Sequence, residues 1–575
     1  MIQKYTTDKA TLILIALLKA HGIKRVIASP GTTNMWFVAS IQQDTFFEMY
    51  SAPDERSAAY MACGMSASDN KPVIITCTEA TASRNYFPAL TEAHYRKLPI
   101  LVITGCHGID YIGHLYAQTI NRTIKPIDTV VESVNIRTCN TPEEEWITNV
   151  NINKAILALT HHGGGPSHIN IEAGHTLDFS TESLPYVRKI SRISCASKNP
   201  SLPIGRKAIF IGSHRMFTEE ETLLIEKFCE QNNAAVFCDQ TSAYKGKYRI
   251  ETSLIAAQKQ NISNIFSLEL LIHLGEISGE QYTQNTIQAK QVWRISMDGE
   301  IRDTFHSLSY VFEMSYKDFF LGYNNSNQAP NTSFYEDCYY QYKVIKESIS
   351  ELPFSNAWVA QQIHNKIPLN SNLHFSIYNS LRSWNFFKLH KSINTYCNVG
   401  GFGIDGTLSA SIGNALAEPD KICFVIIGDL AFFYDINSIA NRHRPTNLRI
   451  LLINNGKGTE FRNYGHPAYA FGEFADAFIA ASNHYGDKSP QLIKHYAEDL
   501  GFIYLSASNK KDFEQNVGLF LTSSKEKAIL FEIFTNSKDE SNAIRSICNT
   551  LKVPPSPKQK LKNVISNIFK KYHKS

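Results

Sequence analysis

The stretch CFVIIGDLAFFYDINSIANRHRPTNLRILLINNGKG, residues 423–458, decides the fold class. Its two apolar runs, CFVII and LRILLI, are short and rich in β-branched residues, so they read as strands buried on both faces. Each run stops at turn residues, Gly428-Asp429 and Asn454-Asn455. The segment between them is long enough for a crossover helix, the connection that parallel strands require. In an open parallel sheet the carboxyl ends of neighbouring strands share one crevice. Asp429 and Asn455, 26 residues apart, can therefore meet there. A carboxylate, an amide oxygen and a nearby main-chain carbonyl are hard donors, suited to an octahedral magnesium ion that also takes phosphate oxygens. Glycine at 428 and 456 lets the backbone approach phosphates closely. Either pair alone reads as strand-to-turn punctuation. Together, both at strand ends, they favour a magnesium and phosphate site.

The same alternation extends outward. Residues 8–21 predict a helix, RVIASPG a strand and turn, ERSAAYMACGMSAS a helix, and KPVIITCTE a buried strand. A helix through NYFPALTEAHYRK, the strand LPILVITG and the glycine-rich entry to GGGPSHINIE complete a first unit. Ser191 to Pro203 reads as a linker, KAIFIGS opens a second unit, and the Asn- and Ser-rich 323–335 reads as a loop. A third unit adds strands at LHFSIYN and AILFEIF. The expectation is an α/β protein of three consecutive open parallel-sheet domains with helices on both faces, at 1–185, 204–330 and 350–549.

Composition narrows the classes. Lys plus Arg number 57 against 53 Asp plus Glu, a balance that gives no reason to expect a nucleic-acid partner. The eleven cysteines sit singly without C-x-x-C or metal-ligand spacing, which predicts free thiols in a reducing compartment. No run approaches the roughly 20 apolar residues of a spanning helix, and no secretory signal is read, so a cytoplasmic protein is expected. The tail, 550–575, is different in kind. It holds seven lysines and no acid, and Leu561, Val564, Ile565, Ile568, Phe569 and Tyr572 repeat at helical spacing. Such a helix docks on an anionic membrane surface or a partner protein, or packs on its own body.

GDL followed by NN about 25 residues on resembles the diphosphate-binding motif of the thiamine-diphosphate-dependent enzymes. APDERSAAYMACGMS (52–66), TEATA (78–82), Gln118 in YAQT and GGPSHINI agree with that superfamily, over residues 1 to about 549. The resemblance implies thiamine diphosphate and Mg²⁺ as cofactors, with Asp429, the Asn455 side chain and the Lys457 carbonyl as metal ligands. It implies Glu55 as the acid that hydrogen-bonds the cofactor's pyrimidine ring and promotes loss of its reactive proton. It also implies Thr78, Gly403, Ile404, Asp405, Gly406, Gly428, Leu430 and Phe461 around the cofactor, with Ile404 as the wedge under its bend. A homodimer or homotetramer is implied, since the Glu55 domain of one chain faces the Asp429 domain of another in this superfamily. GGFGIDG also contains G-x-G-x-x-G at 401, 403 and 406, but TYCNV before it is too short and polar for the strand of a nicotinamide site.

Within the superfamily, SPGTTN (29–34), IYNSLRSW (377–384), NVGGFGIDG (398–406) and GDLAFFYDINS resemble the menaquinone-pathway carboligases, the succinyl-enolpyruvyl-hydroxycyclohexene-carboxylate synthases. That family holds substrate carboxylates with arginines, which pair bidentately with them. This chain has Thr33 and Asn34 in the SPG loop, Trp384 near the NSL arginine position with Arg382 close by, and Val399 in place of a third arginine. These departures, with Ser380, His107 and His114 as further pocket candidates, imply a 2-oxo acid donor smaller or less anionic than 2-oxoglutarate. The carbonyl acceptor would then be other than isochorismate. The family likeness implies carboligation, with simple decarboxylation to an aldehyde as the alternative; a non-catalytic membrane-associated scaffold is the rival of another class, and retention of Glu55, Asp429 and Asn455 argues against it. Gln118 is a candidate for contact with the substrate. His107 and His114 read either as catalytic groups or as satisfied or solvent-facing histidines. Glu460 reads either as a general acid–base with a burial-raised pKa or as a loop carboxylate paired with Arg462.

Overall fold

The computed structural model describes residues 4–122, 126–172, 174, 176–259, 264–324, 329–483 and 489–551. It contains three parallel sheets, the architecture expected from the sequence. By contact density the chain forms two compact units, 1–199 with 291–314 and 200–290 with 315–575.

The first sheet comprises β1 (Arg25–Ala28), β2 (Glu48–Ser51), β3 (Val73–Cys77), β4 (Ile100–Cys106), β5 (Glu132–Ile136) and β6 (Ser167–Glu172). Their order is β2-β1-β3-β4-β6-β5. Val73–Cys77 and Ile100–Cys106 are buried throughout, as continuous apolar runs between two helical layers must be. The helix Lys9–His21 starts where the Asp8 side chain accepts the Thr11 N–H at 2.8 Å and stops at Gly22, whose φ of 74° suits glycine.

The middle sheet contains β7 (Ser191–Ser194), β8 (Lys207–Ile211), β9 (Ala234–Cys238), β10 (Arg249–Glu251), β11 (Ser267–Leu274), β12 (Gln288–Ser296) and β13 (Leu308–Glu313), in the order β10-β9-β8-β11-β12-β13-β7. Here the linker expectation is corrected: Ser191–Ser194 is a strand pairing with Tyr310–Glu313. An edge strand has one neighbour and one solvent side, so SRIS carries no apolar run to announce it.

The third sheet comprises β14 (Asn372–Phe375), β15 (Asn394–Cys397), β16 (Cys423–Gly428), β17 (Leu448–Asn454), β18 (Ile503–Ala507) and β19 (Ile529–Phe534), ordered β15-β14-β16-β17-β19-β18. It repeats the strand order of the first sheet position for position. In both, the order reverses between the first and third strands, the point where open α/β sheets form a ligand crevice. β17 also buries Arg449 completely, and its guanidinium is spent on main-chain carbonyls, among them Thr446 and Lys527 at 3.2 Å.

No helix of the described residues is long and apolar enough to cross a membrane. The basic tail, 552–575, lies outside the described residues.

Candidate active site

In the second unit β16 and β17 run side by side, with Gly428 opposite Ile453, so Asp429 and Asn455 leave the sheet together. Asp429 is buried at the start of the helix Asp429–Tyr434. One carboxylate oxygen accepts the Leu430 N–H at 2.8 Å and the other accepts the Gly456 N–H at 2.6 Å. Gly456 has a φ of 78°, so the turn after β17 depends on glycine there. Asn455 Oδ1 accepts the Thr459 hydroxyl at 2.6 Å, and that hydroxyl oxygen also lies 3.5 Å from the Lys457 carbonyl oxygen. Thr459, absent from the sequence reading, thus gathers two of the three expected ligands. Lys457 turns its ammonium away to Asp476 at 2.8 Å, leaving its carbonyl as its contribution to the group.

The donor set fits a magnesium diphosphate. It is all oxygen, and an ionised carboxylate has acceptor capacity for about four partners, so two backbone N–H groups are compatible with a cation. A Cβ at Gly428 would meet nothing within 4 Å, so space stands open where a phosphate would lie. The GIDG loop ends at Gly406, φ 74°, which opens the helix Thr407–Ala417. A helix start favours anions. At Gly403 a Cβ would fall 2.4 Å from the Asp405 carboxylate, so a larger residue there would displace that side chain. Ile404 packs part-buried on the core formed by β16, β17 and their helices.

The same unit holds a cavity of about 380 Å³ whose wall includes Tyr378, Arg382, Phe402, Glu460 and Asn463. Arg382 and Glu460 form a two-point ion pair at 2.5 and 2.9 Å. Asn379 accepts from Arg382 at 3.0 Å and from Asn463 at 2.8 Å. Two expectations are corrected here. Glu460 pairs with Arg382, 78 residues away, while Arg462 turns to Asp476 and the Gly472 carbonyl. Burial pulls the Glu460 pKa up, but the hydrogen bonds and charge of Arg382 outweigh it, so the carboxyl lies below its ordinary value rather than above. Trp384 and Val399 are core side chains, 0% and 3% exposed. Trp384 lies against Phe375, and a Cβ at Gly279 would touch Val399 at 3.0 Å. Ser380 is buried in the short helix Asn379–Asn385. Phe461 meets His466 edge-on at 5.2 Å. Tyr378 enters that helix with φ 63° and ψ −120°, a strained non-glycine conformation of the kind concentrated at functional sites.

Two further acids escaped sequence reading. Glu280 and Glu540 are buried, and burial pushes each up to about 7. Glu540 accepts from Thr535 at 2.8 Å and from the Asn356 N–H at 3.0 Å, and the Asp429 charge raises it further. An unfolded carboxyl titrates near 4.5, so between that value and about 7 the folded state holds a proton the unfolded state lacks. Stability therefore falls as pH rises through this window. Thermal unfolding of the metal-free protein is expected to occur at lower temperature at about pH 8 than at about pH 5, and Glu540→Gln should flatten that trend. An unchanged slope would show that Glu540 is not its source.

In the first unit Glu55 begins the helix Glu55–Asp69, behind an Asp54 cap that accepts the Arg56 N–H at 3.0 Å. Asn85 donates to the Glu55 carboxylate at 3.3 Å. The SPG loop packs onto the ends of β3 and β4. Thr33 and Thr78 hydroxyls lie 2.7 Å apart, Asn34 donates to the Ser29 carbonyl at 3.0 Å, and a Cβ on Gly105 would lie 2.1 Å from the Thr33 carbonyl. Thr33 and Asn34 are 4% and 3% exposed, which makes them loop-setting groups. Glu79, at the end of β3, accepts the His107 N–H at the end of β4. This acid-to-amide crossbar occupies the same place in the first sheet as the Asp429–Gly456 bond in the third. Buried Arg122 donates to the Gly105 carbonyl at 3.1 Å and to Asn170 at 2.9 Å, bracing the same strand ends. The His107, His114 and Gln118 side chains lie on an exposed stretch after β4, and Gln118 adopts φ 62°.

The family pattern described as "Thiamine pyrophosphate enzyme, N-terminal TPP binding domain" matches residues 8–125, and its "C-terminal TPP binding domain" counterpart matches 379–532. A Bacteroides thetaiotaomicron protein named 2-succinyl-5-enolpyruvyl-6-hydroxy-3-cyclohexene-1-carboxylate synthase is 30% identical over 95% of this chain and 100% of its own length. This chain belongs to the thiamine-diphosphate-dependent enzymes. Synthases of the same name from Flavobacterium johnsoniae and Desulfotalea psychrophila are 28% and 25% identical, over 91% and 80% of this chain and 95% and 88% of theirs. The matched ranges place Glu55 and Thr78 in the N-terminal thiamine-diphosphate domain, and Asp429, Asn455, Lys457 and Thr459 in the C-terminal one.

Proposed function

We propose that this thiamine-diphosphate enzyme is a Mg²⁺-dependent carboligase. It decarboxylates a 2-oxo acid and transfers the resulting acyl-anion equivalent to a carbonyl acceptor. Its donor is less anionic than 2-oxoglutarate, and its acceptor is other than isochorismate. The observation that carries the specificity is the Arg382–Glu460 pair on the cavity wall. A guanidinium already held at two points by a carboxylate is not available to hold a substrate carboxylate in the same way.

The bound cofactor supplies the electron sink that makes loss of CO2 possible. The chain's own residues bind, orient and move protons. Asp429, Asn455 and the Lys457 carbonyl would hold magnesium and thereby the diphosphate. Ile404 would prop the cofactor's bend, and Phe461 and Leu430 would flank it. Glu55 would exchange a proton with the pyrimidine ring, and Gln118 would offer a neutral hydrogen bond to substrate. Glu460, held ionised by Arg382, orients that arginine and Asn463 rather than transferring protons. Because the cofactor's two ends are served by separate domains, we read the working enzyme as a homodimer or larger, with Glu55 of one chain facing Asp429 of another.

The deciding experiment measures CO2 release and product formation from a panel of 2-oxo acids, with and without aldehyde acceptors. Donors with uncharged side chains are expected to exceed 2-oxoglutarate by roughly tenfold or more, the worth of one charge-assisted contact. Efficient condensation of 2-oxoglutarate with isochorismate would overturn the specificity. Glu460→Gln releases Arg382, and the kcat/KM ratio of 2-oxoglutarate to pyruvate should then rise by roughly tenfold. No change in that ratio would show that the pair does not set donor charge.

A further inference from the structure

The first unit holds a second set of metal-type donors, apart from the cofactor residues. After the helix Pro142–Ala158 the chain turns through His161 and His162 and enters β6 by way of Gly164 and Gly165. His162 is held at φ 48° and ψ 41°, a left-handed conformation that non-glycine residues avoid unless their surroundings enforce it. Its ring lies on that of His161, with centroids 3.7 Å apart and planes 30° from parallel. Glu313 ends β13, and its carboxylate lies 3.5 Å from His161 Nε2. One ligand atom each from His161, His162 and Glu313 falls within 4.8 Å of the others. The His161 side chain is only 8% exposed, and its buried Nε2 makes no hydrogen bond among the described residues.

We propose that His161, His162 and Glu313 form a binding site for a zinc-class divalent cation, separate from the magnesium site and tying the turn before β6 to the end of β13. Two imidazoles and a carboxylate are a donor set that zinc favours, with water completing a tetrahedron. The oxygen-only set at Asp429 favours magnesium, so the two sites differ by hardness. Ligand atoms on a tetrahedral zinc lie about 3.3–3.5 Å apart, the spacing already present between His161 and Glu313. Arg192 lies 3.8 Å from the Glu313 carboxylate and opposes an added cation. Its guanidinium is anchored on the Gly299 and Leu157 carbonyls at 3.1 and 3.0 Å, and Glu300, 3.9 Å from His161 Nδ1, adds a compensating negative charge.

The test uses the full-length, tag-free protein, stripped with chelator and titrated with Zn²⁺ and with Co²⁺ as a coloured probe, in excess Mg²⁺. About one Co²⁺ per chain is expected, with the visible absorption of a low-coordinate site. The melting temperature should rise with Zn²⁺. Both signals should persist in Asp429→Asn, and Co²⁺ binding should weaken by at least roughly tenfold in H161Q and E313Q. His162→Gly relieves the left-handed turn, so it should fold at least as well as the parent and still lose the signals. Equal Co²⁺ affinity in the parent and these three variants overturns the site, as does the absence of saturable binding by the parent.

Discussion

Glu55→Gln is expected to leave a folded, cofactor-binding protein with turnover reduced by on the order of 10²–10⁴-fold, the usual contribution of a positioned acid–base group. The substitution is nearly isosteric. The Asp54 cap remains to start the helix, and the Asn85 amide can donate to a glutamine carbonyl as it does to Glu55. What disappears is the capacity to give and take a proton where the pyrimidine ring would lie. Steady-state turnover at saturating thiamine diphosphate and Mg²⁺ should fall, while cofactor affinity and melting temperature change little. Exchange of the cofactor's reactive proton with solvent deuterium should slow in parallel. Near-normal turnover by this variant would remove Glu55 from the centre of the chemistry.

Asp429→Asn should act on the other half of the site, weakening Mg²⁺-dependent thiamine diphosphate binding by at least about 100-fold, beyond the range seen for groups that only orient ligands. Two effects combine. The negative charge that would face the cation is lost. In addition, the amide nitrogen of asparagine must replace one of two oxygens that accept backbone N–H groups, from Leu430 and Gly456. A donor would then face a donor, and the Gly456 turn would lose its tether. Cofactor titration by tryptophan fluorescence or calorimetry reads this directly. Retained affinity at unchanged Mg²⁺ concentration would show that the metal is held elsewhere.

The contrast between Asp429 and Glu460 shows what a sequence can display. Glu55, Asp429 and Asn455 sit at element ends, where strand and helix periodicity stops, so their placement follows from where the pattern breaks. The parallel sheets were legible for the same reason, because buried strands such as VIITC and LRILLI are continuous apolar runs. Edge strand β7, with no such run, was not. The partnership of Glu460 with Arg382 spans 78 residues and leaves no local trace. Trp384 and Val399 could not be told from pocket walls, since an apolar residue next to a polar loop is equally at home in a core. Thr459 escaped because a single hydroxyl near a turn is too common to single out, and the non-helical turn that brings it to Asn455 has no periodic signature.

The repeated sheet order has a historical consequence. The outer sheets share one winding plan, and each carries an acid at the end of its third strand that receives the main-chain N–H after its fourth, Glu79 to His107 and Asp429 to Gly456. Such agreement is what duplication of a single ancestral domain would leave. On that view the descendants divided the labour. On the proposed function the acid of the later copy would face a cation, while proton exchange in the earlier copy would fall to Glu55 on a neighbouring helix. The ancestor would have had one kind of domain at both ends of a small molecule, and the modern chain's dependence on two unlike domains would record their divergence.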